Sequence, residues 1–225
     1  MLESNLSMKA PHLILASNSP RRRQLIELLG LPFVVCPANV DETQLPGEDP
    51  EAYVTRLALS KAKLAAKDQA GLVVASDTIV IDRTQVLGKP ENENAAKEML
   101  TSLQGRQHAV YSAVALIESD EHCVIVILCK TDVTMRQYTD EEMDAYIASG
   151  DPFDKAGGYA IQSLSFHPVE KIQGCYANVM GLPLCHILRT LRRLDIEVTE
   201  NVPQLCQKTL NIQCPVYEDI LSYNV

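Results

Sequence analysis

Short apolar runs alternate along this chain with amphipathic stretches, the pattern of strands interleaved with helices. Residues 12–16 (HLILA) read as a short buried strand. Ser19, Pro20 and Gly30 supply an N-cap, a first helical residue and a stop, which predicts a helix over 20–29. Residues 31–35 read as a second strand, and 37–48 as a polar loop containing Asp41-Glu42-Thr43. Asp49-Pro50 opens a helix to about residue 67, with Val54, Leu57, Ala58, Leu64 and Ala65 on one face. The run LVVASDTIVI at 72–81 is next, then a turn at 82–85 and a return strand to Gly88-Lys89-Pro90. A helix is expected over 92–103. Residues 108–118 and 123–135 follow as long antiparallel strands. Thr139 and Glu142 form a capping-box pattern for a helix ending near Ser149. After a loop come a short strand at 159–162 and a last helix from Leu182-Pro183 to about residue 194. The sum is an α/β fold with a mixed sheet.

Composition narrows the function classes. The chain has 225 residues, 46% hydrophobic and 22% charged, enough for one large domain or two packed lobes. No apolar run approaches the roughly 20 residues that cross a membrane. The formal net charge of −9 argues against nonspecific nucleic-acid binding and against an acidic membrane surface. The seven cysteines form no CxxC pair and read as reduced thiols of a cytoplasmic protein. Residues 1–11 are polar and read as a flexible tail.

Against that acidic background, two segments stand out. Ser17-Asn18-Ser19-Pro20-Arg21-Arg22-Arg23 places three arginines at the start of a helix, where the dipole disfavours cations. A bound polyphosphate would remove that conflict, and the free N–H groups of the helix start suit an anion. In the second, Ser76-Asp77-Thr78 interrupts an apolar strand that resumes at once with Ile79-Val80-Ile81. A buried carboxylate costs several kcal/mol unless it is paired, hydrogen-bonded or metal-bound, which marks Asp77 as functional. Glu42, Lys61, Lys89 and Lys155 are further charged candidates, although nothing in their spacing shows that they converge. Histidines 12, 108, 122, 167 and 186 have no metal-ligand spacing, and there is no Walker A, GxGxxG or GxSxG motif.

The segments LASNSPRRRQLIELLG, VDET, YVTRLALSKAKLAA, SDTIV, LGKP, HAVYSAVAL, DKAGGYAIQ and MGLPL occur in the order and spacing of the Maf family of nucleotide pyrophosphatases. Residues 12–194 resemble that family. The resemblance implies the fold of the inosine-triphosphate pyrophosphatases: an elongated mixed β-sheet flanked by helices, in two lobes with a nucleotide cleft between them. It implies that Ser17, Ser19, Arg21 and Arg22 hold a triphosphate, and that Lys61 and Lys89 contact its oxygens. Lys155 joins the substrate-binding set. Glu42 and Asp77 would bind a divalent cation, Mg²⁺ or Mn²⁺, with Asp77 as the base. Arg21, Thr78 and Gln162 match the subgroup acting on dTTP and UTP rather than the one acting on 7-methyl-GTP. A homodimer is implied as well. Rival readings are a phosphatase releasing orthophosphate and a nucleotide-binding regulator of cell division without turnover.

Residues 195–225 lie beyond the resemblance. Leu205, Leu210, Ile212, Val216, Tyr217, Ile220, Leu221 and Tyr223 are too many apolar residues for a disordered tail. They predict an appendage packed on the domain, with a partner-binding peptide as the alternative.

Overall fold

The computed structural model describes residues 12–67, 69–118 and 123–223. The expected tail at 1–11 lies outside the described residues. In chain order the elements are β1 (Leu13–Leu15), α1 (Pro20–Glu27), β2 (Phe33–Val35), α2 (Pro50–Ala66), β3 (Leu72–Asp82), β4 (Gln85–Leu87), α3 (Glu93–Leu103), β5 (Gln107–Glu118) and β6 (Val124–Met135). Then come α4 (Asp140–Ala148), two short 3₁₀ turns (Asp151–Asp154 and Ala156–Gly158), β7 (Val169–Gln173), α5 (Tyr176–Val179), α6 (Leu184–Arg193), α7 (Val202–Leu210) and α8 (Tyr217–Ser222).

Local chemistry starts the helices. Ser19 Oγ accepts the Arg22 N–H, and the Asp49 carboxylate accepts those of Glu51 and Ala52. Both halves of the Thr139–Glu142 capping box are formed.

The sheet runs β2-β1-β3-β5-β6-β7, with β4 paired to β3. β1 is parallel to β2 and β3, and the remaining pairs are antiparallel. The register of β3 is what makes room for a site. Along one edge, β1 pairs with Leu72–Val74 and β4 pairs with residues 80–82. Among the described residues no strand covers the intervening stretch on that edge. β5 pairs continuously along the other. The sheet therefore has a notch at Ser76-Asp77-Thr78.

Strand alternation sorts the core into layers. Leu13, Leu15, Leu72, Val74, Val114 and Leu116 face a cluster built on α1 and α6. Ile14, Val73, Ala75, Ala113, Ala115 and Ile117 face α2 through Val54, Ala58, Ala62 and Ala65. A third cluster surrounds the far ends of the long strands: Val80, Val110, Val133 and Met135 pack with residues of α3 and α4, with Tyr159 and with Phe166. The notch lies where these clusters meet, between two lobes.

Three expectations need correction. Residues 159–162 are not a strand. Gly157 and Gly158 both take φ of +69°, and the N–H of Ala160 goes to the Tyr146 hydroxyl, so the backbone is spent on turns and side chains. The strand that pairs with β6 is β7, ten residues later in the chain than the expected start, and neither it nor α5 is signalled by a clear pattern. Leu64 is exposed on α2, and its expected place on the inner face is taken by Lys61 and Ala62.

In the C-terminal segment, Ile196, Val202 and Cys206 are buried in the same cluster as Ile187, Leu188 and Leu191 of α6. Arg189 also donates to the Ile220 carbonyl at 3.1 Å.

Candidate active site at a notch in the sheet

β3 supplies side chains to both faces of the sheet at the notch. Odd-numbered residues face α2, so Asp77 meets Lys61, which sits on the helix stripe Val54, Leu57, Ala58, Lys61, Ala65. Lys61 Nζ lies 2.6 Å from Asp77 Oδ1 and 2.5 Å from Glu42 Oε1. Asp77 and Lys61 are both buried, which answers the cost of the carboxylate with a cation.

The loop carrying Glu42 is tied to α2. The Tyr53 hydroxyl donates to the Glu42 carbonyl at 2.6 Å. Arg56 pairs with Glu48 at 2.6 Å and donates to the Thr43 carbonyl at 3.0 Å. Burial would push the Glu42 carboxyl up. The Lys61 hydrogen bond and the charges of Lys61, Lys89 and Arg22 outweigh it and hold the carboxyl below its usual range.

Even-numbered residues face α1. Arg22 is clamped by three acceptors: Nε on the Gly181 carbonyl at 3.0 Å, Nη1 on Ser17 Oγ at 3.3 Å and Nη2 on Thr78 Oγ1 at 3.0 Å. Ser76 Oγ donates to the same Gly181 carbonyl at 2.8 Å. Burial lowers the Arg22 pKa, partly offset by Asp77. The guanidinium remains charged because its ordinary value is so high. Gly181 takes φ of +99°, and a Cβ there would lie 3.0 Å from both Arg22 Nε and Thr78 Oγ1, so only glycine allows this approach.

Between these two sides lies a cleft of about 410 Å³. Ser19, Arg21, Arg22, Glu42, Lys61, Asp77, Thr78, Lys89, Lys155 and Gln162 all line it, and Ser17 lines the adjoining recess with Asn18 and Asn39. Apart from Ser17, every candidate site residue named from the sequence thus lines one cleft. Their engagement differs. Arg21 reaches Asp154 at 3.3 Å and is partly exposed. Lys89 is exposed and makes no ion pair among the described residues. Lys155 is committed to Asp151 and Asp154, so its connection to Arg21 runs through Asp154. Val80, Leu87, Tyr159, Ala160 and Met180 form an apolar end.

The sequence reading missed Tyr53, Asp154, Ser112 and Gly181. All four stood inside the quoted family motifs, at positions that the motifs alone did not single out. Among the described residues no group of three His, Cys, Asp or Glu side chains could hold a metal. The available donor set is two carboxylates, Glu42 and Asp77, converging on one ammonium nitrogen. That set fits Mg²⁺ or Mn²⁺ only with phosphate oxygens and water completing the shell, the usual way such ions are held with nucleotides.

Fold and site together define a class: an α/β protein whose mixed sheet is notched, with cations and two carboxylates facing each other across the gap. The family model described as Maf-like protein matches residues 12–194. The chain belongs to the Maf family. It is 44% identical over 188 residues to a dTTP/UTP pyrophosphatase of Bacillus cereus, covering 83% of this chain and 97% of that one. A dTTP/UTP pyrophosphatase of Bacillus anthracis matches with the same identity and the same coverage. Among solved structures, a HAM1 protein from Coxiella burnetii is similar with a TM-score of 0.41 and 18% identity, over 56% of this chain and 74% of that one.

Proposed function

We propose that this protein hydrolyses nucleoside triphosphates, dTTP and UTP above all, to the monophosphate and pyrophosphate. The carrying observation is Asp77: a buried carboxylate at an uncovered sheet edge, held with Glu42 by Lys61 and opening on a cation-lined cleft. The names of the Bacillus relatives support the substrate.

The triphosphate lies along the start of α1, where the positive end of the helix and Arg21 meet it, with Lys89 on the other side. Asp77 takes a proton from the attacking water. The water oxygen bonds to the α-phosphorus, and the bond from that phosphorus to the bridging oxygen breaks, leaving its electron pair on pyrophosphate. Arg21, Lys89 and the helix start spread the growing negative charge. Lys61 holds both carboxylates close together. Glu42 and Asp77 would hold a divalent cation, Mg²⁺ or Mn²⁺, which when bound neutralises phosphate charge and acidifies water. The base lies toward the apolar end, where the Gln162 amide can satisfy a pyrimidine edge. The unpaired cysteines support a cytoplasmic setting. A homodimer belongs to the same reading and is checked by light scattering.

A panel of triphosphates assayed for both pyrophosphate and orthophosphate tests the function. UTP and dTTP are expected to turn over at similar rates, because one methyl group is worth only about 1–3 kcal/mol in a pocket. ATP and GTP should be much slower. Orthophosphate as first product, or a preference for purines or 7-methyl-GTP, overturns the reading. Binding of UTP without turnover would make the protein a regulator instead.

A further inference from the structure

Arg21 and Arg22 are neighbours on α1 that are held very differently. Three protein acceptors fix the Arg22 guanidinium. The Arg21 side chain has one partner among the described residues, Asp154 Oδ2, 133 positions away and 3.3 Å from Nη1. Asp154 ends the 3₁₀ turn Asp151–Asp154, whose Phe153 packs on the third core cluster, so the contact spans the cleft. Both residues line the cleft and its adjoining recess. Their side chains are 24% and 61% exposed, so water screens the pair.

Asp154 is not needed to hold the turn. Its other oxygen accepts from Lys155 Nζ, yet that buried ammonium also reaches Asp151 Oδ1 at 2.9 Å. Burial alone would raise the Asp154 carboxyl. The Lys155 hydrogen bond and the charges of Arg21 and Lys155 outweigh it and hold the carboxyl below its usual range. At neutral pH an anion therefore stands where a phosphate oxygen would meet Arg21, and like charges at one guanidinium repel. We infer that Asp154 is a positioning residue acting through Arg21: it occupies Arg21 in the empty cleft, yields it to an arriving polyphosphate and reclaims it as pyrophosphate leaves. The inference rests on the triphosphate reading and adds the residue that limits how tightly the cleft holds its anionic substrate and product. The exchange strands no charge. While phosphate holds Arg21, Asp154 keeps Lys155, and once the cleft empties Arg21 regains a counter-ion. A weak, screened pair suits this role, because breaking a buried one would cost much of the substrate's affinity.

The test is the affinity for inorganic pyrophosphate, measured by titration calorimetry with Mg²⁺ present, alongside KM and kcat for UTP. Pyrophosphate is the proposed product, so its binding reads the exchange without turnover. Asp154→Asn removes the competing charge and should tighten pyrophosphate about threefold, the scale of an exposed ion pair. KM for UTP should fall by a like factor, with no rise in kcat. Asp154→Glu keeps the charge and should bind like wild type. In an Arg21→Ala background, Asp154→Asn should change pyrophosphate affinity little, because the carboxylate acts through that guanidinium. Unchanged or weaker pyrophosphate binding in Asp154→Asn overturns the inference, the weaker case making Asp154 a ligand rather than a competitor. So does an equal gain with and without Arg21, a gain shared by Asp154→Glu, or a rise in kcat at constant KM. Affinities that follow the expected pattern without UTP hydrolysis uphold the inference and remove the proposed reaction. Hydrolysis with affinities that do not move does the reverse.

Discussion

Asp77 illustrates how one side chain can be costly for the fold and necessary for chemistry. Its charge is offset by Lys61, which Glu42 also contacts. In Asp77→Asn, Lys61 keeps Glu42 as a counter-ion, and the amide oxygen can still accept. The melting temperature should therefore shift by a few degrees at most, while pyrophosphate release falls at least 100-fold, on the order of one lost base or ligand. Wild-type turnover in this variant would remove Asp77 from the mechanism. Arg21 and Lys89 make the complementary case, because neither is buried or enclosed by protein acceptors. Arg21→Ala and Lys89→Ala should each lower kcat/KM by about 10² with little change in melting temperature, since an ordinary exposed charge is worth at most about 1 kcal/mol to stability. Full kcat/KM in both would place the polyphosphate elsewhere.

Among the elements, α7 and α8 pose the clearest question, because both follow residue 194, where the family match stops. α7 is well specified locally: Asn201 caps it, Pro203 sits in its first turn, and Asn211 ends it with φ of +51°. Its Val202 and Cys206 enter the cluster on α6, as does Ile196 ahead of it. A Cβ on Gly30, at the end of α1, would collide with the Glu200 side chain. Truncation after Leu194 should therefore cost on the order of several kcal/mol, from buried side chains worth about 1.5–3 kcal/mol each. Thermal melting and turnover, measured together, decide it. An unchanged melting temperature defeats the packing argument, and a folded but inactive truncation means that the segment reaches the cleft.

Acid stability is a property of the folded chain at large, and two histidines, one buried and one half-buried, bear on it. His108 on β5 bonds the Tyr159 hydroxyl at 2.7 Å, and His186 lies on α6. Burial pushes both down to about 4 from the usual 6.5. The folded protein thus resists protonating groups that the unfolded chain protonates readily. Their contribution is complete above pH 6.5, shrinks as pH falls toward 4, and changes no further below that. Each site accounts for about 3 kcal/mol at most by linkage. Melting temperature should fall steeply between pH 6.5 and 4.5, and His108→Gln with His186→Gln should flatten that slope. An equal slope in the double variant would assign acid sensitivity to the carboxylates.

Much of this protein was written in neighbouring residues. The caps of α1, α2 and α4, the turn from β1 into α1, and the burial of Asp77 inside one unbroken strand all follow from local hydrogen bonding and side-chain period, which act over a few residues. The ordered family motifs likewise named the cleft residues before any contact was visible. Convergence was another matter. Glu42, Lys61 and Asp77 meet because β1 inserts between β2 and β3 and α2 lies across that face, a consequence of long-range pairing. The irregular backbone at 159–162 and the sparse pattern of β7 depended on which neighbours remained to be bonded. The notch arises because β1 ends after Leu15, opposite Val74, and β4 ends at Leu87, opposite Val80, on the same edge of β3. The meeting of Arg21 with Asp154 is likewise tertiary, because 133 positions separate them and the 3₁₀ turn reaches α1 only across the folded cleft.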